Sequence, residues 1–397
     1  MHASRILRRC LSCVFTSMHA ARARRLLAAV DALVDGRRLT LIGLARSWPG
    51  AVFVHAPLKA LDRLLSNPAL HADILPLQRA MAPWLLSRSP RPIVLVDWAD
   101  LERDGRWALL RAAVPVGGRA LTVYEQVFSR QHMGAASAQR TFLAGLASVV
   151  PAHVRPVIVT DAGFRSDWFR DVLALGWDYV GRLRGNAKLQ APRQGAWQPS
   201  SSLYAQATTM PKDLGCHRIV RHAPLECRLL LAARKRTGRD QLTRQGRPQQ
   251  SRQAIKARSS AREPWLLATS LPSDTWAPHQ VMNCYAKRMQ IEEAFRDLKS
   301  HRHGAGFEDC LTRKAQRLTV LLLIHTLASL AAWLASIAAA PYCGIDPLAR
   351  QDCLRNRYSK LRRGLEWLRV RWLPPEIERN LHRITHPNDL EILGASW

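Results

Sequence analysis

Three acidic residues, Asp97, Asp161 and Glu292, stand where their carboxylates could act together in one site. Asp97 and Asp161 each follow a short apolar run, and Glu292 lies in a segment with helical periodicity. The ends of strands in one sheet lie near each other, and carboxylate oxygens are the hard ligands that Mg²⁺ prefers. An acid at a strand end is also a common turn former, so the prediction of a metal site depends on the third acid.

That third acid belongs to a helix predicted over residues 281–299, in which four reactive side chains share one face. At 100° per residue, Tyr285, Arg288, Glu292 and Lys299 fall within a stripe about 60° wide. The neighbouring Glu293 lies about 100° from Glu292, so Glu292 is the better ligand candidate. The alternative is a solvated helix face with ordinary salt bridges, which the tyrosine beside the cations disfavours.

These residue types suit chemistry at a phosphodiester bond. Three carboxylates can hold two divalent metal ions about 3.5–4 Å apart, which stabilise the attacking and the leaving oxygen of an in-line displacement. Arg288 and Lys299 are predicted to hold DNA phosphates, and Tyr285 is predicted to donate a hydrogen bond to one of them. The hardness of carboxylate oxygen favours Mg²⁺ as the ion, with Mn²⁺ as a substitute.

Strands and helices in alternation are predicted to position the two aspartates. An apolar strand leads into each of Asp97 and Asp161, and Gly117-Gly118 has the composition of a hairpin turn. The predicted order is strand, hairpin, helix, strand, helix and strand, at residues 93–97, 107–128, 136–149, 156–161, 166–175 and 177–183. The two acid-bearing strands are continuous apolar runs, which indicates burial on both faces of a sheet.

The chain is predicted to contain five successive regions. They are a helical DNA-binding domain, the first part of the catalytic core, a β-rich basic insertion, the second part of the core with the catalytic helix, and a helical C-terminal region: 1–88, 89–183, 184–263, 264–305 and 306–397. A helical cap domain is an equally good interpretation of the first region. The basic block at 234–262 is either a solvated loop or a segment that follows a DNA backbone.

Residues 318–340 form the longest apolar segment, and its length is sufficient to span a bilayer. The segment also contains His325 and several hydroxyl side chains, and alanines dominate its second half. This composition favours a helix that is buried against protein. The alternative is a membrane span, and we expect no membrane partner.

The charge balance of the chain indicates the kind of partner it has. Its 397 residues include 59 Lys and Arg against 30 Asp and Glu, a formal net charge of +29. Such an excess implies a polyanion, either nucleic acid or an anionic membrane surface, although a GC-rich genome also enriches arginine. The cysteines are scattered apart from Cys10 and Cys13, which favours free thiols in a reducing compartment over a zinc site. The short apolar stretch near the N-terminus does not fit a signal peptide.

The spacing Y-x2-R-x3-E-x6-K, formed by Tyr285, Arg288, Glu292 and Lys299, resembles the signature of the insertion-sequence-four family of DDE transposases. Three further stretches resemble members of this family, and they surround the two aspartates and Trp265: 96–101, 160–164 and 263–269. The resemblance extends from Arg22 to Gly364 and therefore covers most of the chain.

This resemblance implies an α/β fold with an RNase H-like (DDE) catalytic core, a β-rich insertion and helical regions at both ends. It implies a cut-and-paste transposase that cleaves and joins double-stranded DNA at terminal inverted repeats and in target DNA. The enzyme would act as a homodimer in a synaptic complex and through a hairpin intermediate. Asp97, Asp161 and Glu292 would be its catalytic, metal-binding residues.

Trp265 matches a tryptophan that stacks on a flipped base in such enzymes, where an aromatic face compensates for unstacking of the base. A strand residue in the core is an equally good interpretation of Trp265. The resemblance also implies a location in the bacterial cytoplasm, at the nucleoid.

Three other functions fit parts of the sequence. A DNA-binding relic of a transposase would keep the basic composition without catalysis, but the presence of all three acids argues against loss of the active site. A nuclease with the same fold would cleave DNA without joining it. A membrane protein would use residues 318–340 as its span.

Overall fold

The structure is a computed structural model, and it describes the chain as two compact units. One unit is formed by residues 1–156 and 288–397, and the other by residues 157–287. The described residues are 3–101, 105–185, 187–191, 195–233, 247, 249–252, 263–302, 304–342, 358–370 and 372–392. The basic block predicted at 234–262 therefore lies almost entirely outside the described residues.

The helices and strands of the described residues follow the alternation predicted from the sequence. The helices are α1 (Ala3–Cys10), α2 (Ser12–Phe15), α3 (Ala20–Gly36), α4 (Leu41–Arg46), α5 (His55–Leu65), α6 (Pro68–Leu86), α7 (Ala136–Ala147), α8 (Ser166–Ala174), α9 (Pro278–Ala286), α10 (Met289–Lys299), α11 (Ala315–Ala338), α12 (Lys360–Arg369), α13 (Pro375–Arg383) and α14 (Asp389–Ile392). The strands are β1 (Ile93–Asp100), β2 (Trp107–Pro115), β3 (Ala120–Ser129), β4 (Val157–Thr160), β5 (Asp178–Leu183), β6 (Lys188–Gln190), β7 (Gln198–Pro199), β8 (Lys212–Ile219), β9 (Leu225–Ala232) and β10 (Trp265–Thr269).

Strands β1, β2 and β3 of the first unit are antiparallel neighbours, with β2 in the middle. The turn between β2 and β3 is the predicted Gly117-Gly118 turn, where both glycines have a positive φ of 80° and 86°. Only glycine adopts this conformation twice in succession at low cost, and it matches the twist of a hairpin. In β1 the side chains of Val94, Leu95 and Val96 are all buried. The buried strand leading to Asp97 is therefore confirmed.

Helix α11 is the central helix of the first unit, and it packs against helices α3 and α12 and strand β3. It is the one described helix whose length and apolar composition would suffice to cross a membrane, and 89% of its apolar window is buried in the unit. Gly364 of α12 allows close packing here, because a Cβ at that position would lie 1.6 Å from the carbonyl oxygen of Ala332. The prediction that this segment is a buried helix is confirmed.

The second unit is built on strands in the order β4-β5-β10-β9-β8-β6-β7. Strands β4 and β5 are parallel, and the other recorded pairs are antiparallel. Helix α8 packs closely on β5, because Gly181 leaves room for the ring of Phe169. That packing fixes the β4–α8–β5 connection and with it the C-terminal end of β4, where Asp161 follows.

The helix predicted over residues 281–299 is not continuous. It is divided into α9 and α10 at Lys287 and Arg288. The amide of Lys287 donates to the carbonyls of both Asn283 and Cys284, and the amide of Ile291 donates to the carbonyl of Arg288. Hydrogen bonds between residues three apart tighten a helix locally. Lys287 and Arg288 keep right-handed helical backbone angles, so the interruption is a local one.

Candidate active site

Asp97 lies near the end of β1 in the first unit and is held there by the strand and by its own side chain. The backbone of Asp97 is paired with that of Arg111 on β2. Its Oδ1 atom accepts a hydrogen bond of 2.8 Å from the amide of Trp98. The second oxygen, Oδ2, is directed to a cation on helix α10.

That cation is Arg288, whose guanidinium contacts two of the three predicted acids. Its Nη1 donates to Oδ2 of Asp97 at 3.1 Å, and its Nη2 lies 2.6 Å from Oε1 of Glu292. Arg288 and Glu292 are four residues apart and lie on neighbouring turns, as the predicted stripe required. The structure therefore brings Asp97, Arg288 and Glu292 together within the first unit. The Glu292 side chain is 40% exposed and remains accessible to solvent.

Lys299, at the end of α10, lies close to the C-terminal end of β1. Its Nζ donates to the carbonyl oxygen of Asp100 at 3.4 Å. The carboxylate of Asp100 pairs with Arg130. Two cations therefore lie along β1, the strand that contains Asp97. Arg288 contacts Asp97 itself, and Lys299 contacts Asp100 at the end of the strand.

A buried ion pair lies behind Asp97, on the two neighbouring strands. Nε of Arg111 donates to Oε2 of Glu125 at 2.8 Å, and Oγ1 of Thr326 on α11 donates to Oε1 at 2.9 Å. The Arg111 guanidinium also lies over the ring of Phe295 on α10, 5.2 Å from its centroid. These contacts connect β2, β3, α10 and α11. They fix the helix that carries Arg288 and Glu292 against the sheet that carries Asp97.

The second unit contains Asp161, directly after β4, as predicted. Its Oδ1 accepts a hydrogen bond of 2.8 Å from the amide of Gly163. A Cβ on Gly163 would lie 3.0 Å from that oxygen, so glycine gives the amide room to approach. The carboxylate is thereby oriented by the loop that leads into α8.

Tyr285 and Trp265 contact each other in the second unit. Their ring centroids are 4.6 Å apart, with an angle of 80° between the planes. The Tyr285 side chain is 2% exposed, and the side chain of Arg182 is hydrogen-bonded to it. Burial lowers the pKa of the Arg182 guanidinium. The sequence predicted that Tyr285 shares one helix face with Arg288, Glu292 and Lys299 and donates a hydrogen bond to a DNA phosphate, whereas its side chain is buried within the second unit.

Trp265 is the first residue of β10, where it is half-buried and paired with Ala232 on β9. Its ring packs against the ring of Tyr285 in a T-shaped arrangement. Trp265 is thus a strand residue, and its partial exposure leaves both interpretations of its role as predictions.

The donors fit a divalent cation in charge and in chemical type. Asp97 and Glu292 supply hard carboxylate oxygens. Both carboxylates contact the Arg288 guanidinium, so each of them already lies beside a positive charge. In the part of the chain that the structure describes, no three His, Cys, Asp or Glu side chains are grouped closely enough to hold a metal ion. The residues suited to hold a metal within the first unit are therefore the pair Asp97 and Glu292.

Sequence reasoning missed Arg111, Glu125, Arg182 and Gly163. A signal for the first pair was present, because Arg111 is a lone charge within the apolar run of β2 and Glu125 is a lone acid in β3. A charge inside an apolar strand requires a partner. The Asp-Ala-Gly sequence at 161–163 is likewise typical of a turn in which the aspartate accepts a backbone hydrogen bond.

Acids on a strand and a helix, next to arginine and lysine in a strongly basic α/β protein, are typical of enzymes that act on phosphodiester bonds of nucleic acid. The family model described as "Transposase DDE domain" matches residues 88–331, which is more than half of the chain. The chain therefore belongs to the DDE transposase family. No curated protein matches the chain significantly.

The matched region contains all seven residues singled out from the sequence: Asp97, Asp161, Trp265, Tyr285, Arg288, Glu292 and Lys299. Membership in this family makes the protein a transposase, an enzyme of the polynucleotidyl transferase type, with DNA as its partner. Divalent metal ions are typical cofactors of DDE transposase domains. The mixed α/β architecture with many helices agrees with this assignment.

Proposed function

We propose that this protein is a cut-and-paste transposase that cleaves and joins DNA at the terminal inverted repeats of its own insertion sequence. The observation that carries the proposal is the position of Arg288, which holds Asp97 and Glu292 next to each other within a protein of the DDE transposase family. In this proposal the protein is a member of the insertion-sequence-four family, whose signature its motif Y-x2-R-x3-E-x6-K resembles, and it is similar to the transposase of insertion sequence ten. An RNase H-like core, a hairpin intermediate and a homodimeric synaptic complex belong to the same proposal.

Each site residue has a role that follows from its chemistry. Asp97, Asp161 and Glu292 would hold two Mg²⁺ ions, which supply charge stabilisation to the attacking and leaving oxygens of the phosphodiester. Arg288 contacts both carboxylates of the first unit and orients them toward one point. Lys299 places a second positive charge beside β1 for a DNA phosphate.

Tyr285 has a different role in this proposal from the direct DNA contact predicted for it. The burial of Tyr285 against Trp265 and Arg182 makes the tyrosine an internal support of α9. Trp265 is partly exposed beside this tyrosine, and in this proposal it stacks on a flipped base.

The decisive experiment is a strand cleavage and joining assay with Mg²⁺. Its substrate is labelled duplex DNA taken from the two genomic flanks of the coding sequence. Wild-type protein is expected to give end-specific nicks, hairpins and joined products. Asp97→Asn and Glu292→Gln are expected to bind the same DNA and to give none of these products.

Glu293→Gln is the matched control, because it makes the same chemical change one residue away on α10. Glu293 pairs with Arg296 at 2.8 Å. It should cleave and join like the wild type. Binding without cleavage or joining by the wild type, with either Mg²⁺ or Mn²⁺, would identify a DNA-binding relic instead. Cleavage without joining and without end preference would identify a nuclease.

A further inference from the structure

The N-terminal helices of the first unit expose two large apolar side chains at one point. Val52 is 86% exposed and Phe53 is 80% exposed, in the connection between α4 and α5. A turn closed by the amide of Ala51 and the carbonyl of Trp48 holds this connection, and Gly50 has a φ of +71° there. The two side chains therefore project from an ordered turn.

These side chains are not needed for the packing of the helices around them. Helices α3, α4 and α5 pack on one another, and the contacts of α5 use Leu61, Leu64 and Leu65, all of which are buried. Apolar side chains that are exposed next to each other, and that contribute nothing to a core, are candidates for contact with a partner. Val52 and Phe53 are therefore candidates for such a contact.

The surroundings of the two side chains indicate the charge of that partner. Helix α5 begins directly after Val54, and its exposed residues His55, Lys59 and Arg63 recur every four positions. Four-residue spacing places them within about 80° of one another on the helix surface. We call this surface, formed by His55, Lys59 and Arg63, the α5 stripe.

Among the residues that the structure describes, no acid forms an ion pair with the α5 stripe. Asp62 is the only acid between residues 37 and 66 of the sequence, and its carboxylate pairs with Arg317 at 2.7 Å. The exposed side chains of Val52 and Phe53 precede the α5 stripe in the sequence. This combination is complementary to DNA, because phosphates bind cations while the base stack accepts apolar side chains.

We propose that Val52 and Phe53 act as an apolar wedge that enters duplex DNA between two base pairs, while the α5 stripe binds the flanking phosphates. Apolar residues inserted at a base step unstack it and kink the duplex by about 20–90°. This inference depends on the proposed function, in which DNA is the partner of the transposase. It extends that function by assigning a DNA-bending role to the N-terminal region.

The test measures binding and bending without catalysis, so that a failure of strand transfer does not affect it. The Asp97→Asn full-length chain, without divalent metal, would be mixed with two 30-base-pair duplexes of equal base composition. One duplex carries flexible TA steps at its centre and the other carries a stiff A-tract. Energy transfer between dyes at the two DNA ends reports the bend, and titration reports the affinity.

A wedge is expected to favour the flexible duplex by about 3- to 10-fold and to bend it more, because pyrimidine–purine steps unstack at low cost. Val52→Ser with Phe53→Ser should abolish both the preference and the bend. The salt dependence of binding should stay unchanged in that variant. Lys59→Gln with Arg63→Gln should instead lower the slope of log affinity against log salt by about 2, since each phosphate contact contributes about one.

Leu311→Ser is the matched control, because Leu311 is 93% exposed in the same unit but lies outside the α4–α5 connection. It should leave the bend, the preference and the salt slope unchanged. Equal affinity and equal bending of both duplexes by the wild type would overturn the wedge. So would a serine double variant that bends DNA normally but has lost self-association in sedimentation, which would assign Val52 and Phe53 to a contact with a second copy of the chain.

Discussion

Two ion-pair groups of the first unit use the same side-chain types for different purposes. Arg111 and Glu125 form a pair that is closed off in the core, with Thr326 satisfying the second carboxylate oxygen. Arg288 contacts two carboxylates, Asp97 and Glu292, and one of them remains accessible. In the buried pair one guanidinium faces one carboxylate, whereas the Arg288 guanidinium faces two.

This difference indicates which of the two groups is suited to bind a further cation. A balanced, desolvated pair resists any change of partner, because each charge would lose its only compensation. A group in which one guanidinium is shared by two carboxylates, one of them exposed, can accept a further cation. The buried pair is therefore structural, and the Arg288 group is the one suited to chemistry. The following predictions test that contrast from the largest effect to the smallest.

Replacing Glu125 by alanine is expected to have the largest effect on stability. It leaves the Arg111 guanidinium buried without its partner, which should lower the free energy of unfolding by about 3–5 kcal/mol. Denaturant titration followed by circular dichroism measures the loss. The paired change Arg111→Met with Glu125→Leu should recover most of it, and failure to recover would show that the charges themselves are required for the fold.

Replacing Arg288 by alanine is expected to destabilise less, by about 1.5–3 kcal/mol, because its partners can still reach water. The variant should also gain more thermal stability from added Mg²⁺ than the wild type does, since two carboxylates then lack a cation. Differential scanning fluorimetry with and without a chelator measures the difference. An equal Mg²⁺ response in Glu125→Ala would contradict the contrast between the two groups.

The third prediction concerns acid stability and His325 of α11. Burial and the charge of Arg111 lower the pKa of its imidazole to about 3. Below the ordinary pKa of 6.5 the unfolded chain binds a proton that the folded chain does not, so stability falls as the pH decreases toward 3. His325→Gln should reduce the loss between pH 7 and pH 4 by about 2 kcal/mol. Identical pH profiles of the two proteins would show that His325 titrates normally.

The smallest of these effects is expected for Thr326→Val. This change keeps the shape of the side chain but removes the 2.9 Å hydrogen bond to Glu125. We expect a loss of about 1–2 kcal/mol, because a buried carboxylate oxygen loses a donor. Thr319→Val on the same helix is the control, since Thr319 donates only to the carbonyl of Ala315 at 3.0 Å. It should change the unfolding free energy much less.

Much of the fold could be predicted because its signals are local. The strand before Asp97 is a continuous apolar run, the Gly117-Gly118 turn requires positive φ, and α11 is apolar throughout. The helix over 281–299 failed as a prediction because its break involves neither proline nor glycine. It arises from backbone hydrogen bonds at Lys287 and Arg288, which cannot be predicted from the residue types at these positions.

The sequence by itself determined the three acids, the alternation of strands and helices and the buried apolar helix, because composition and periodicity report burial directly. The spacing of Tyr285, Arg288, Glu292 and Lys299 also predicted a DDE transposase, which the family match confirms. Only the tertiary structure decided that Arg288 bonds to Asp97, 191 residues away, and that Tyr285 is buried against Trp265. Contacts at such separation depend on how strands and helices pack, and that packing is fixed by the sum of many weak interactions along the whole chain.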